Sequence, residues 1–144
     1  MPFAVYALAL AAFAIGTAEF IISGILPPVA ADLNVTIATA GLLVSAYAAG
    51  VAVGGPLLTL ITARFSQRSV LIGVLGTFAV AQVLCAIAPD YGLLLLARLV
   101  SAAAHGVFFG AGNVVIAAMV PLERRGKAFS LFIGGITVAN LLGL

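Results

Sequence analysis

The chain is 144 residues long, 65% hydrophobic and only 7% charged, with six basic residues, four acidic ones and a formal net charge of +2. A soluble domain carries about 25% charged residues, so this composition and a mean hydropathy of +1.34 exclude one. No basic run interleaved with aromatics is present to bind nucleic acid, and a single cysteine, Cys85, supports neither an intrachain disulfide nor a cysteine metal cluster.

Residues 33–63, 69–89 and 99–122 contain no Asp, Glu, Lys or Arg. Apolar runs of about 18 residues or more read as transmembrane helices, because only a helix satisfies its own backbone in hydrocarbon. The pattern predicts an all-α polytopic membrane protein with five segments. The first spans about 4–26 and is expected to stop at Pro27–Pro28, which lack donors. It has no basic n-region, so a cleaved signal peptide is not expected. A short outer stretch, Val29 to Asn34, follows. The second spans about 36–61, with Thr36 or Thr39 available as N-cap. The third runs over 69–88, the fourth over 91–120 to Pro121, and the fifth from about 128 to 144. Cys85 sits among Val83, Leu84, Ala86 and Ile87 and reads as an inert buried thiol.

Orientation follows from the loops. Arg64 and Arg68 lie between segments two and three, and Arg124, Arg125 and Lys127 between four and five, whereas the other two loops hold Asp32 and Asp90. The positive-inside rule therefore predicts a cytoplasmic N-terminus. Small residues recur every fourth position at Ala46, Gly50 and Gly54, and again at Gly106 and Gly110, which lets helix backbones approach closely. Such a ridge serves either static packing or a moving seam.

Only Glu19 and Arg98 place charge inside apolar segments. An ionised group near the bilayer centre costs about 2.5–3.5 kcal/mol on insertion scales, so each needs a partner or a wet cavity. Both lie seven residues from an outer segment end, or roughly 10 Å deep. Equal depth and opposite sign predict an ion pair or a proton-controlled pair, with a purely structural bridge as the alternative. Ala12, Gly16 and Ser23 share the Glu19 face. Tyr91, Arg98, His105 and Gly112 follow one another at steps of seven, with Ser101 beside them, and form a polar stripe facing a cavity or bundle core. His105 reads as either a packing histidine or a proton relay. Tyr91, Ser101, Phe109 and Asn113 are cavity-lining candidates, although Asn113 and Asn140 also suit interhelical hydrogen bonds. Hydrolase chemistry is unsupported: Ser101 and His105 have no carboxylate in their segment, and no HExxH or phosphate loop occurs. No cofactor or metal is expected.

Several stretches resemble the major facilitator superfamily, and most closely its bacterial sugar-efflux and chloramphenicol-type drug-efflux branch. They are Gly16-Thr-Ala-Glu-Phe20, Ser45-Ala-Tyr-Ala-Ala-Gly-Val-Ala-Val-Gly54, Ile87-Ala-Pro-Asp-Tyr91, Ala97-Arg-Leu-Val-Ser101, His105-Gly-Val-Phe-Phe-Gly110 and Gly134-Gly-Ile-Thr-Val-Ala-Asn140. The resemblance implies a twelve-helix, proton-coupled transporter of two six-helix halves, each built from inverted repeats. The chain would be the N-terminal part, with five helices of the first bundle and the fifth cut short. Segments one and four would line the cavity. Arg98 matches the fourth-helix arginine of the branch, and Glu19 an acidic first-helix position used for protonation in some drug antiporters. Gly134, Gly135 and Gly143 resemble the start of the fifth-helix antiporter motif. In the loop between segments two and three, only Arg64 and Arg68 carry over; the motif's aspartate and both glycines are absent.

The function expected on this basis is proton-coupled efflux of small organic solutes, sugars or drugs, by alternating access in a bacterial inner membrane. Glu19 would take up protons and Arg98 would tune its proton affinity. The partners are the bilayer, protons, a small-molecule substrate and the C-terminal half of the transporter. The alternative is a truncated membrane fragment without transport activity, acting at most in packing or assembly.

Overall fold

The structure, a computed structural model, describes residues 1–143, so the expected continuation of the fifth helix to Leu144 lies outside the described residues. In chain order the helices are α1 (Phe3–Gly24), α2 (Leu26–Asp32), α3 (Ile37–Ala49), α4 (Gly55–Thr62), α5 (Gln67–Ile87), α6 (Tyr91–Met119) and α7 (Leu122–Gly143). A π-helical turn, Gly50–Gly54, joins α3 to α4 in one continuous span, Ile37–Thr62. No strand occurs among the described residues. Among the described residues four spans are long and apolar enough to cross a membrane, Phe3–Gly24, Ile37–Thr62, Gln67–Ile87 and Tyr91–Met119.

Three local features depart from the sequence reading. Pro27 and Pro28 do not end helical structure; they occupy the first turn of α2, where a missing N–H costs nothing because no intrahelical acceptor exists there. The second segment is interrupted by the π turn. The last helix begins at Leu122, six residues earlier than 128, immediately after Pro121. Its early start is supported by Glu123 in the first turn, favourable at a helix N-terminus, and by Arg125 Nε, which donates to the Val120 carbonyl at 3.0 Å.

Helix starts elsewhere follow cap chemistry. Thr36 accepts from the Thr39 amide, Ser66 from the Ser69 amide, and Asp90 from the Leu93 amide at 2.9 Å. Removing the Asp90 cap should cost about 0.5–2 kcal/mol. Asp90→Ala is therefore expected to lower the thermal midpoint in detergent while Asp90→Asn retains most of it, measured by circular dichroism.

α6 is the central helix. It packs against the α3–α4 span along one side, against α5 on another, and touches α1 and α7, while α1 pairs chiefly with α7. The main core joins Val5, Leu8, Ala12 and Ile15 of α1 to Phe78 of α5, Phe108 and Ile116 of α6, and Phe132 of α7. Large side chains such as Phe3, Leu10, Leu57, Leu60 and Ile72 point outward and are more than half exposed. An apolar exterior of that extent needs lipid as its solvent.

Between the helices the contacts are made by small residues. A Cβ placed on Gly106 would collide with the Gly55 backbone, and one on Gly50 would lie 2.8 Å from Ala102 Cβ. The ridge of α3–α4 therefore meets the ridge of α6 directly, and the two sequence patterns are halves of one seam. The α1–α7 contact is equally close: Gly135 abuts the Ala9 carbonyl, and Gly16 faces Ile136 and Ala139. Gly134 faces open space, and Gly143 is the last helical residue.

Candidate functional site

α1, α3 and α6 meet around the polar stripe expected on the fourth segment. Steps of seven residues drift by about 20° per heptad, so Tyr91, Arg98 and His105 stay on one side of α6 while Gly112 turns away. Tyr91 donates its hydroxyl to the Thr39 carbonyl of α3 at 2.9 Å. Arg98, 2% exposed, donates from Nη1 to the Ala18 carbonyl of α1 at 3.1 Å, and its guanidinium lies 4.2 Å from the centre of the Tyr47 ring of α3. His105, 6% exposed, sits two turns further along, with Nδ1 3.1 Å from the Tyr47 hydroxyl. Gly112 instead contacts the Phe132 ring of α7.

Glu19 enters the cluster from α1, at the level where Arg98 grips the preceding residue's carbonyl. The direct Glu19–Arg98 ion pair expected from depth and sign is not formed. Glu19 Oε2 instead approaches His105 Nδ1 at 3.7 Å, beyond hydrogen-bonding reach. That oxygen, together with Nε and Nη2 of Arg98, has no hydrogen-bond partner. The reason is geometric. Arg98 is committed in two other directions, to a backbone carbonyl and to an aromatic face, and both stabilise a cation without a counter-charge.

Other candidates sort by the helix they face. Ser101 is fully buried but turns to α5: it donates to the Ala97 carbonyl at 2.8 Å and accepts from Gln82 Nε2 at 3.1 Å. It is a satisfied packing hydroxyl apart from the Arg98–His105 side. Phe109 stacks on His105 at 5.0 Å between centroids and on Phe132 at 4.9 Å, tying the site to α7. His105, Phe109, Thr59, Val51 and Pro56 line a groove of about 550 Å³ over the glycine seam. Asn113 and Asn140 are exposed, and among the described residues neither side chain makes a hydrogen bond, so neither joins helices here. Ser23 is exposed as well, whereas Ala12 and Gly16 are buried against α7. Cys85 is only half-buried, beside Ala88 and Leu94. Arg64 packs its guanidinium 4.9 Å over Phe65, and Arg68 lies in the first turn of α5, both exposed. Among the described residues no group of three His, Cys, Asp or Glu could hold a metal.

Tyr47 was not singled out from the sequence. A signal existed: it is the only aromatic residue in Ile37–Thr62, and it lies one turn before Gly50 and Val51, on the side that meets α6.

Residues 8–144 match the Major Facilitator Superfamily. The chain belongs to that superfamily. It is 46% identical over 96% of its length to Inner membrane transport protein YdhP of Escherichia coli strain K12, and 38% identical over its whole length to a Chloramphenicol resistance protein of Streptomyces lividans. A Probable sugar efflux transporter of Helicobacter acinonychis is 31% identical over 97% of the chain. The chain spans 36% or 37% of the length of these relatives. The match is to their N-terminal portion, so the helices form a partial superfamily bundle of a multi-pass membrane protein. The superfamily comprises membrane transporters rather than enzymes, and it moves small molecules across a bilayer.

Proposed function

We propose that the protein is a proton-coupled exporter of small organic solutes, of the drug or sugar type, in a bacterial inner membrane. The observation that carries this reading is the cluster itself. A carboxylate, an imidazole, a phenol and a guanidinium meet where three helices of an otherwise apolar bundle converge. Ionisable groups at membrane depth are costly and are retained where protons or substrate pass. Glu19 and His105 are the proton-binding groups, and Arg98 holds a fixed positive charge beside them. The names of relatives, a chloramphenicol resistance protein and a sugar efflux transporter, support export. The basic loops, Arg64 to Arg68 and Arg124 to Lys127, support a cytoplasmic N-terminus. The C-terminal half of the transporter completes the cavity, whose wall on this side includes Tyr91, His105 and Phe109.

One proton crossing 100 mV supplies about 2.3 kcal/mol, enough to sustain roughly a fifty-fold gradient of a neutral solute. The test is Glu19→Gln in the full-length transporter, reconstituted in liposomes with radiolabelled chloramphenicol and a panel of sugars as probes. The pH-driven component is expected to fall at least tenfold while solute exchange without a gradient continues. Undiminished coupling would remove Glu19 from the role.

A further inference from the structure

We infer that Tyr47 is a positioning residue whose hydroxyl and the transported proton compete for a single atom, Nδ1 of His105. Two groups converge on that nitrogen from different helices: the Tyr47 hydroxyl of α3 at 3.1 Å and Glu19 Oε2 of α1 at 3.7 Å. An imidazole nitrogen in the ring plane makes one strong hydrogen bond at a time. With the Glu19–His105 pair free of its proton, Glu19 is a carboxylate and His105 a neutral ring. An Nδ1–H tautomer would draw the carboxylate into bonding distance. At 3.7 Å it is unbonded, whereas the Tyr47 hydroxyl is at 3.1 Å, which places the ring proton on Nε2 and makes the hydroxyl the donor to Nδ1.

One proton added from water changes this, whichever atom holds it covalently. A protonated Glu19 donates its O–H to Nδ1; a protonated His105 donates Nδ1–H to the carboxylate. Either way the proton lies between Oε2 and Nδ1, the O–H of Tyr47 stays intact, and only its hydrogen bond is lost. The charge-assisted bond requires the gap to close from 3.7 Å to about 2.8 Å. Proton uptake therefore exchanges an α6–α3 hydrogen bond for an α6–α1 one. This inference deepens the proton-coupling reading and rests on it for its consequence in transport, since it converts protonation into a choice of helix contact.

The neighbours leave no other competitor among the described residues. The titratable or charged groups around His105 are Glu19 from α1, Tyr47 from α3 and Arg98 from its own helix, with Cys85 of α5 beyond Arg98. α4 offers Thr59, Gly55 and Pro56, and α7 offers Phe132 behind Phe109. Tyr47, 1% exposed, is held in place by the Arg98 stack on its face, so its hydroxyl has a fixed aim.

His105 is the only histidine in the chain, so its imidazole nitrogens are directly readable by ¹⁵N NMR of the chain in lipid nanodiscs. The neutral state is expected to show Nε2–H and a hydrogen-bonded, unprotonated Nδ1. Tyr47→Phe keeps the ring under Arg98 and removes only the hydroxyl; the Nδ1 signal is expected to move to that of a free acceptor. An unchanged Nδ1 signal in this variant overturns the proposal. Should Tyr47→Phe fail to fold, the wild-type titration decides. The Tyr47 ring carbon bearing oxygen is expected to lose its hydrogen-bonded shift in step with proton uptake by the Glu19–His105 pair. Independence of the two signals in the wild type is the overturning result. These readouts need no transport, so a failed transport test on Glu19 leaves them interpretable, and their own failure leaves Glu19 coupling intact.

Discussion

Gly106→Leu is expected to break the seam between the α3–α4 span and α6, and Gly106→Ala to strain it measurably. The argument rests on what surrounds the missing side chain. An added Cβ would collide with Gly55 Cα and lie 3.1 Å from the Gly55 nitrogen and 3.2 Å from the Val51 carbonyl oxygen. All three are backbone atoms, with no flexible side-chain end to move aside. The reciprocal Gly55→Ala places a Cβ 2.9 Å from Gly106 Cα. Overpacking typically costs about 1–3 kcal/mol, and alanine here belongs at the upper end of that range. In lipid the penalty is not softened by hydrophobic burial, because separated helices meet acyl chains as apolar as themselves and lose only packing. Gly73→Ala and Gly76→Ala are the controls, since nothing lies within 4 Å of either added Cβ. They are expected to be neutral or to stabilise α5 by up to about 1 kcal/mol through helix propensity. Equilibrium unfolding in mixed micelles separates the pairs; a Gly106→Ala midpoint equal to that of Gly73→Ala would show that the seam is loose.

The reason so much of this seam could be read in advance is that its pattern is local. Ala46, Gly50 and Gly54, like Gly106 and Gly110, repeat within one helix, and lipid-spanning length is a property of one segment. What the pattern does not carry is which ridge meets which, or that Gly50–Gly54 adopts a π turn. The proline pair shows a related limit. Pro27–Pro28 is compatible with the end of one helix and with the first turn of the next, and only the chain's return toward α3 decides between them.

Site residues follow the same division. Periodicity placed Tyr91, Arg98 and His105 together because three residues on one helix share a face regardless of partners. It could not see that Ser101, only three residues from Arg98, turns to Gln82 of α5. Depth and sign suggested that Glu19 would meet Arg98, but depth fixes height and leaves azimuth open. The guanidinium is taken by the Ala18 carbonyl and the Tyr47 ring, both invisible to a charge count. Tyr47 escaped notice for that reason: it is neutral, apolar by composition, and polar only at the atom that reaches His105.

On the proposed function, Arg98→Lys in the full-length transporter is expected to abolish transport and to destabilise the bundle, although charge is conserved. The two contacts of Arg98 point in different directions, Nη1 to the Ala18 carbonyl and the planar face to Tyr47. A lysine ammonium is compact, strongly hydrated and has no planar face. It can keep one contact only by giving up the other, at a cost of about 2 kcal/mol for a desolvated cation–π contact or about 1.5–3 kcal/mol for a charged hydrogen bond. Arg98→Leu makes the informative contrast. Replacing a buried charge by an apolar side chain of similar volume is often neutral or stabilising, and here it would also remove two guanidinium nitrogens that have no partner. Leucine is therefore expected to unfold at or above the lysine variant's midpoint and still to fail in pH-driven export. Stability is then recovered in the leucine variant while export stays lost in both, a separation that a merely structural bridge cannot produce. Full coupling in Arg98→Leu would reduce Arg98 to packing, and would leave the proton to Glu19 and His105 alone.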